Sequence, residues 1–306
     1  MSNDTLQALI LAAGFGTRLF PLTRYIPKPL LPILDVPALE RICRRLQEAG
    51  FRRLVINTHH LAQLIEVWAA ASDLEAGPAI SHEPEILGTG GAVALARQFL
   101  KEDSPIVIWN GDIAASVDPS LLIEKYNEMG SPDALLVIHD RPPFNKLRID
   151  PSGMVRSFSH QGPDARAFTG ISVMGPGLAA SIPIEPCSLV DVWSEAMEQG
   201  GTIAAVELKT VSFRPCYWED IGTLEGYFRA SEAVHRSIGM KSGTFVSPRA
   251  KVAQGVQFRG FVAVNGQARI EDLAVLEDVI LLPGTVVPEG QKLYRCVAAP
   301  WGRFEF

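Results

Sequence analysis

The residues best suited to chemistry are cations set directly behind a glycine turn, and an aspartate that ends an apolar run. The stretch "LILAAGFGTRLFPLTRYIPKPLLPI" covers Leu9 to Ile33. It opens as a buried strand that ends at Ala13. Gly14 and Gly16 then allow backbone N–H groups to come close to an anion. Thr17, Arg18, Arg24 and Lys28 follow in an otherwise apolar, proline-rich run. Donors and fixed positive charge in one short loop suit phosphate groups. Two better-known phosphate loops do not match. G-x-G-x-x-G needs a third glycine where Leu19 stands, and the P-loop G-K-[ST] is absent. "PIVIWNGD" puts Asp112 at the carboxyl end of a predicted central strand, where open α/β sheets bind ligands.

The elements that must position these residues alternate. "QALILAA", "RRLVINTH", "PAISHE" and "PIVIWNGD" read as strands. "PALERICRRLQEAG", "HLAQLIEVWAA", "GGAVALARQFL" and "PSLLIEKYNEMG" read as helices between and after them. Such alternation implies βαβ units: an α/β fold with a Rossmann-like, mostly parallel sheet and helices on both faces. A hairpin around "IDPSGMV", a strand "AFTGISVM" and a last helix "TLEGYFRASEAVHRSI" complete this part.

Near Gly239 the texture changes. An aliphatic or aromatic residue recurs every six positions at Val246, Val252, Phe258, Val264, Ile270, Leu276 and Leu282. A second series runs four positions behind, at Ala250, Val256, Val262, Ala268, Ala274, Ile280 and Val286. Neither a helix nor a plain strand has period six; a β-helix coil with three flat sides does. The segment resembles the hexapeptide repeat of left-handed β-helices. The expected division is 1–240 and 241–306. So short a stack has open ends, which the first domain, the tail "LYRCVAAPWGRFEF" or a partner subunit must cover.

Bulk composition excludes several classes. The chain has 306 residues and a formal net charge of −6, with 47% hydrophobic and 20% charged residues. That length and composition bury a sizeable core without staples. The net negative charge argues against general nucleic-acid binding, though not against one cationic pocket. Cys43, Cys187, Cys216 and Cys296 are scattered, so neither a disulfide framework nor a zinc site is expected. From "MSNDT" and the short apolar run after it no signal peptide is expected, and no run reaches the ~20 apolar residues of a membrane span. A cytoplasmic protein is expected.

The string L-A-A-G-x-G-T-R-L-x-P-L-T-x-x-x-P-K-P-L resembles the signature of the sugar-1-phosphate nucleotidylyltransferases, the NDP-sugar pyrophosphorylases. "ILGTGGAV" looks like the family's loop against base and ribose, "YWEDIGT" like its W-x-D-I-G-T motif, and "FTGISVM" like its G-I-Y segment. The resemblance covers nearly all of residues 6–238. It implies an NTP and a sugar-1-phosphate as substrates, with magnesium (Mg2+) as cofactor. Nucleotide contacts would come from Leu11, Ala12, Ala13, Gly14, Gly16, Thr17, Gly88 and Thr89. Gly88, Gly90 and Gly91 would leave room for a flat ligand. Asp112 and Asp220 would be the metal ligands, and Arg18, Lys28 and Asp112 the catalytic set. Gly170, Glu185 and Asp191 would face the sugar.

The chemistry accounts for these types. A sugar-phosphate oxygen attacks an α-phosphorus and pyrophosphate leaves, so positioning and electrostatics suffice and no protein nucleophile is needed. One departure is clear. Many relatives carry E-K-P after the central hairpin, where this chain reads "VRSFSHQGPDA"; Lys146, Arg148 and His160 are the substitutes at hand. The pattern is closer to relatives that use mannose-1-phosphate with GTP or N-acetylmuramate-1-phosphate with UTP.

The alternative is a non-catalytic regulatory subunit of the same two modules, which would have lost the catalytic groups. A β-helix acyltransferase would need a histidine base, and none follows His235. A homo-oligomer, assembled through the repeat, is expected. His59 and His60 read as structural, and Arg41, Arg44 and Arg45 as a solvated helix face.

Overall fold

The computed structural model describes residues 6–75, 77–240 and 242–306. The "MSNDT" start and residue 241, where the second domain was expected to open, lie outside them. By internal contacts the chain forms two compact units. One comprises Met1–Phe15 and Ile42–Cys216, the other Gly16–Arg41 and Tyr217–Phe306.

The first unit is built on a seven-stranded sheet. Its strands are β1 (Gln7–Leu11), β2 (Arg53–Thr58), β3 (Ala79–His82), β4 (Ile106–Asn110), β5 (Ala134–His139), β6 (Ala167–Met174) and β7 (Ile203–Glu207). Their spatial order is β7-β5-β6-β4-β1-β2-β3. All pairings are parallel except those of β6, which runs against both β4 and β5. The helices include α2 (Ala62–Ala71), α3 (Gly88–Ala96), α4 (Pro119–Glu128), α5 (Pro176–Ser181) and α6 (Leu189–Glu198). Leu9, Val55, Ile106, Ile108 and Leu136 share one core with Val93 and Ala96 of α3, Ala179 of α5 and Trp193 of α6. The alternate residues Ala8, Ile10, Ile56, Val107, Trp109 and Val137 are equally buried. Both faces of the sheet are therefore covered, as parallel strands require. The hairpin expected near "IDPSGMV" forms between Arg148–Ile149 and Val155–Ser157.

Chain order places the ligand end. From β1 the chain steps to β2 and β3 on one side, then returns to place β4 on the other. Such a reversal opens a crevice beyond the carboxyl ends of β1 and β4. Ala12–Gly14 and Asp112 follow those two ends directly.

The second unit carries the repeat. Strands β8 (Thr244–Val246), β10 (Gln257–Val264), β12 (Val275–Leu281) and β14 (Lys292–Ala299) stack in parallel as one wall. Strands β9 (Lys251–Val252), β11 (Arg269–Ile270) and β13 (Val286–Val287) form a second. This is a short β-helix-like region. The sixfold series slips inside it. Phe258 pairs with Leu276, eighteen residues on, but Val262 pairs with Val279, only seventeen on. The irregularity falls between Arg259 and Val262, where Gly260 turns at φ +61°. Beyond it the core of the stack takes Val279, Leu281 and Val287; Ile280 and Leu282 are buried outside that core, and Val286 is exposed. Val246 and Val252, the first two of the series, are exposed. The tail supplies the fourth rung, β14, and strand β15 (Gly302–Glu305) folds back antiparallel along its edge.

Candidate functional site

In the first unit, β1 delivers the turn. Leu11 is half-buried, Ala12 and Ala13 are buried, and Gly14 is exposed. A Cβ at Gly14 would meet nothing within 4 Å. No protein contact demands glycine there, so the backbone N–H groups of the turn are open to solvent on that side. Phe15, the exposed tip, rests on His59 and His60 at ring-centroid distances of 5.5 and 5.6 Å. The histidines thus anchor the turn, in keeping with a structural reading.

Beneath the turn lies a polar hub that sequence reasoning missed. Ala12 N donates to Asn57 Oδ1 at 2.6 Å, and Asn57 Nδ2 donates to Glu83 Oε1 at 2.6 Å. Glu83 Oε2 accepts from Leu87 N at 2.9 Å, and His59 Nδ1 lies 2.8 Å from the Glu83 carbonyl oxygen. Asn57 and Glu83 are 3% and 1% exposed, so each must find its partners inside the protein. The hub joins the end of β1 to the loop that opens α3. Glu83→Gln leaves one acceptor oxygen for two donors, because Asn57 cannot flip without abandoning Ala12 N. We expect a loss of about 1–3 kcal/mol in stability, read as a lowered midpoint in urea. An unchanged midpoint would show that the hub carries no strain of this kind.

The Gly88 loop departs from expectation. Gly88 has φ +68°, and a Cβ there would stand 2.5 Å from the Cys187 carbonyl oxygen. At Gly90 it would stand 2.6 Å from Cys187 Sγ, and at Gly91 2.4 Å from the Glu185 carbonyl oxygen. The room expected for a flat ligand is taken by the backbone of Glu185–Cys187, which also accepts a 2.9 Å hydrogen bond from Gly90 N. Thr89 Oγ1 accepts from Leu189 N at 2.8 Å. Asp191 is engaged locally too: Ser188 Oγ donates to its Oδ2 at 2.6 Å and caps α6 by accepting from its N at 3.1 Å. Glu185 is exposed. Gly170, at φ +82°, would place a Cβ 2.9 Å from Asn110 Nδ2. Its missing side chain therefore accommodates Asn110 rather than open space for a sugar. Asp112 is half-buried, two residues beyond β4, and Gly111 N donates to Leu11 O at 2.8 Å between the strand ends.

The second unit holds the cations. Gly16 has φ +64°, and a Cβ there would come within 2.9 Å of Thr23 Cγ2. Thr23 Oγ1 closes the turn by donating to Gly16 O at 2.9 Å. Thr17 and Arg18 then sit on an exposed 3-10 turn. Arg18 reaches Asp220, with Nη2 to Oδ2 at 3.3 Å. Gly222 makes that possible, because a Cβ on it would lie 2.4 Å from Arg18 Nη2. Asp220 Oδ1 accepts from Gly222 N at 2.6 Å. The helix that follows, α7 (Leu224–Ser237), is capped by Thr223 and not by Asp220. Lys28 is half-buried in a 3-10 turn between Pro27 and Pro29. The arginines of helix α1 (Ala38–Glu48) correct the sequence reading. Arg41 donates to Ile33 O at 3.0 and 2.6 Å, and Arg45 donates to Ala115 O. Arg44, paired with Asp73, is the exposed one.

Among the described residues no cluster of three or more His, Cys, Asp or Glu could cage a metal. Asp112 and Asp220 are hard oxygen donors, both half-buried. Mg2+ commonly takes one or two carboxylates and completes its shell with phosphates and water, so this donor chemistry fits it. The exposed Arg18–Asp220 pair is worth about 1 kcal/mol or less, and a cation or phosphate can displace it.

A reversal point in a mostly parallel sheet, with a glycine turn behind the first strand, is the frame in which open α/β proteins bind their ligands. The chain belongs to the nucleotidyl transferase family, whose profile matches residues 7–237. It is 27% identical over 270 residues to mannose-1-phosphate guanyltransferase beta-A of Xenopus laevis, across 81% of this chain and 73% of that one. It is 25% identical over 317 aligned residues to the mannose-1-phosphate guanylyltransferase catalytic subunit beta of Drosophila melanogaster, across 97% and 84%. HddC from Yersinia pseudotuberculosis, solved with GMP-PN, superposes with a TM-score of 0.63 at 25% identity, over 75% of this chain and all of that one. UDP-glucose pyrophosphorylase with UDP-glucose shares the fold, at a TM-score of 0.61 and 18% identity over 76% of this chain and 99% of that one.

Proposed function

We propose that this chain transfers a nucleoside monophosphate from an NTP to a sugar-1-phosphate and releases pyrophosphate. The observation that carries the reading is the turn behind β1. Gly14 has open space above it, and Arg18 and Lys28 follow within the family signature. GTP with mannose-1-phosphate is the first pair to test, in line with the names of the relatives; UTP with N-acetylmuramate-1-phosphate is the second.

In this reading the backbone of Leu11–Thr17 meets the triphosphate, with Gly88 and Thr89 shaping the pocket from behind. Asp112 and Asp220 would hold Mg2+, which supplies charge neutralisation across phosphate oxygens when bound. Arg18 exchanges Asp220 for the departing pyrophosphate, and Lys28 places a point charge on the phosphates. The sugar-phosphate oxygen forms a bond to the α-phosphorus as the α–β bridging bond breaks, and pyrophosphate leaves with the electron pair. Glu185 and Asp191 would stand on the sugar side; Gly170, whose missing side chain makes room for Asn110, would contribute there only through its backbone. Lys146 and Arg148 are exposed and stand in for the missing E-K-P lysine, whereas His160 is engaged 2.8 Å from Asp164.

We assign catalysis to residues 1–240 and place the stack, 241–306, at the contact of a homo-oligomer. No helix among the described residues is long and apolar enough to cross a membrane, and the cytoplasm is the proposed location. A panel of five NTPs against several sugar-1-phosphates, read by pyrophosphate release, tests the reading. One preferred pair supports it, and no release with any pair contradicts it.

A further inference from the structure

The hairpin that follows Lys28 has an unusual tip. Pro32–Ile33 and Val36–Pro37 pair antiparallel with Ile33 opposite Val36. The two residues between, Leu34 and Asp35, have φ +50° and +68°. Two positive φ values in a two-residue turn normally call for Asn or Gly. A leucine there persists only where its surroundings hold it.

The β-helix-like stack does the holding. Asp35 N donates to Asn265 Oδ1 at 2.7 Å, and Gly266 N donates to Asp35 Oδ1 at 2.5 Å. Arg249 stands 3.8 Å from Asp35 Oδ2. Asn265 is wholly buried at a corner of the stack, where its Nδ2 donates to Leu281 O at 2.8 Å. Two further anchors grip the same segment. Tyr227 of α7 donates to Pro32 O at 2.5 Å, and Tyr25 packs on Trp301 of the tail with ring centroids 5.1 Å apart. Lys28 is thus strung between an anchor at Tyr25 and anchors at Pro32 and Asp35.

We propose that Asp35 and Asn265 are positioning residues for Lys28, so that the stack serves to hold the cationic segment of its own chain. The inference rests on the transfer reading for its kinetic consequence, but its structural part is tested separately. In the full chain, Asp35→Ala and Asn265→Ala should speed hydrogen exchange in peptides spanning 16–41. Asp35→Asn keeps an acceptor for Gly266 N and tolerates positive φ, so it should not. With GTP, mannose-1-phosphate and Mg2+, the two alanine variants should lose about tenfold or more in kcat/KM for GTP, mostly through a raised KM for GTP. The KM for the sugar phosphate should stay unchanged. The double variant should be no worse than the more severe single one, because both break the same clamp. A merely structural defect would lower the active fraction, leaving both KM values alone; that result overturns the proposal. Unchanged exchange across 16–41 overturns it as well. Should Asn265→Ala not fold, Asp35→Ala against Asp35→Asn decides the matter. If the wild type releases no pyrophosphate with any pair, the transfer reading fails, and the exchange data alone still decide whether the clamp exists.

Discussion

Asp112→Ala is expected to lower kcat/KM for transfer by about 10²–10³, the usual cost of removing one group that stabilises developing charge. Asp112 follows the central strand β4, beyond the carboxyl ends where the order of the sheet reverses. Gly111 N is bonded to Leu11 O, so the backbone that carries the carboxylate is fixed to the end of β1. The side chain is half-buried and the substitution removes no buried apolar group, so a melt beside the kinetics tells a loss of rate from a loss of fold. Rate and stability are therefore separable. The measurement is pyrophosphate release at varied Mg2+ beside a thermal melt. Near-unchanged turnover would remove Asp112 from the catalytic set.

Lys28→Ala should cost about as much. The two substrates repel one another, and a fixed positive charge that meets the phosphates lowers that barrier. Its position is well determined: Leu31 N bonds to Lys28 O at 3.1 Å, and Pro27 and Pro29 flank it. Lys28→Arg should recover only part of the loss, because a planar fork does not replace a compact ammonium in a tight turn. Steady-state kinetics with varied NTP checks both variants; wild-type kcat/KM in Lys28→Ala would rule out the assigned role.

Much of this was legible from local pattern. Strand–helix alternation announces the parallel sheet, because helical and strand periods differ within a few residues. The turn and the strand-end aspartate are local too. What escaped depends on contacts between distant parts of the chain. Asn57 and Glu83 are 26 residues apart, and neither spacing nor composition shows that they meet in the dark beneath Ala12. Gly88, Gly90 and Gly91 announce a close approach, but glycine does not reveal whether a ligand or another stretch of backbone arrives. Here Glu185–Cys187 does. The slip in the hexapeptide repeat was hidden because Val279, Ile280, Leu281 and Leu282 are all apolar. Either of two adjacent residues fits the pattern, and only the ladder register shows which one faces inward. Arg41 and Arg45 read as surface charge because their partners are carbonyls, which carry no sequence signal.

The most direct test follows phosphorus. The full chain is mixed with GTP labelled at the α-phosphorus, mannose-1-phosphate and Mg2+, and the products are read by ³¹P NMR. The expected result is one GDP-mannose, carrying the label, for each pyrophosphate, with no orthophosphate formed. Label left in GTP, with no pyrophosphate from this or any other NTP and sugar-1-phosphate pair, would contradict assignment of this chain as a sugar-1-phosphate nucleotidylyltransferase.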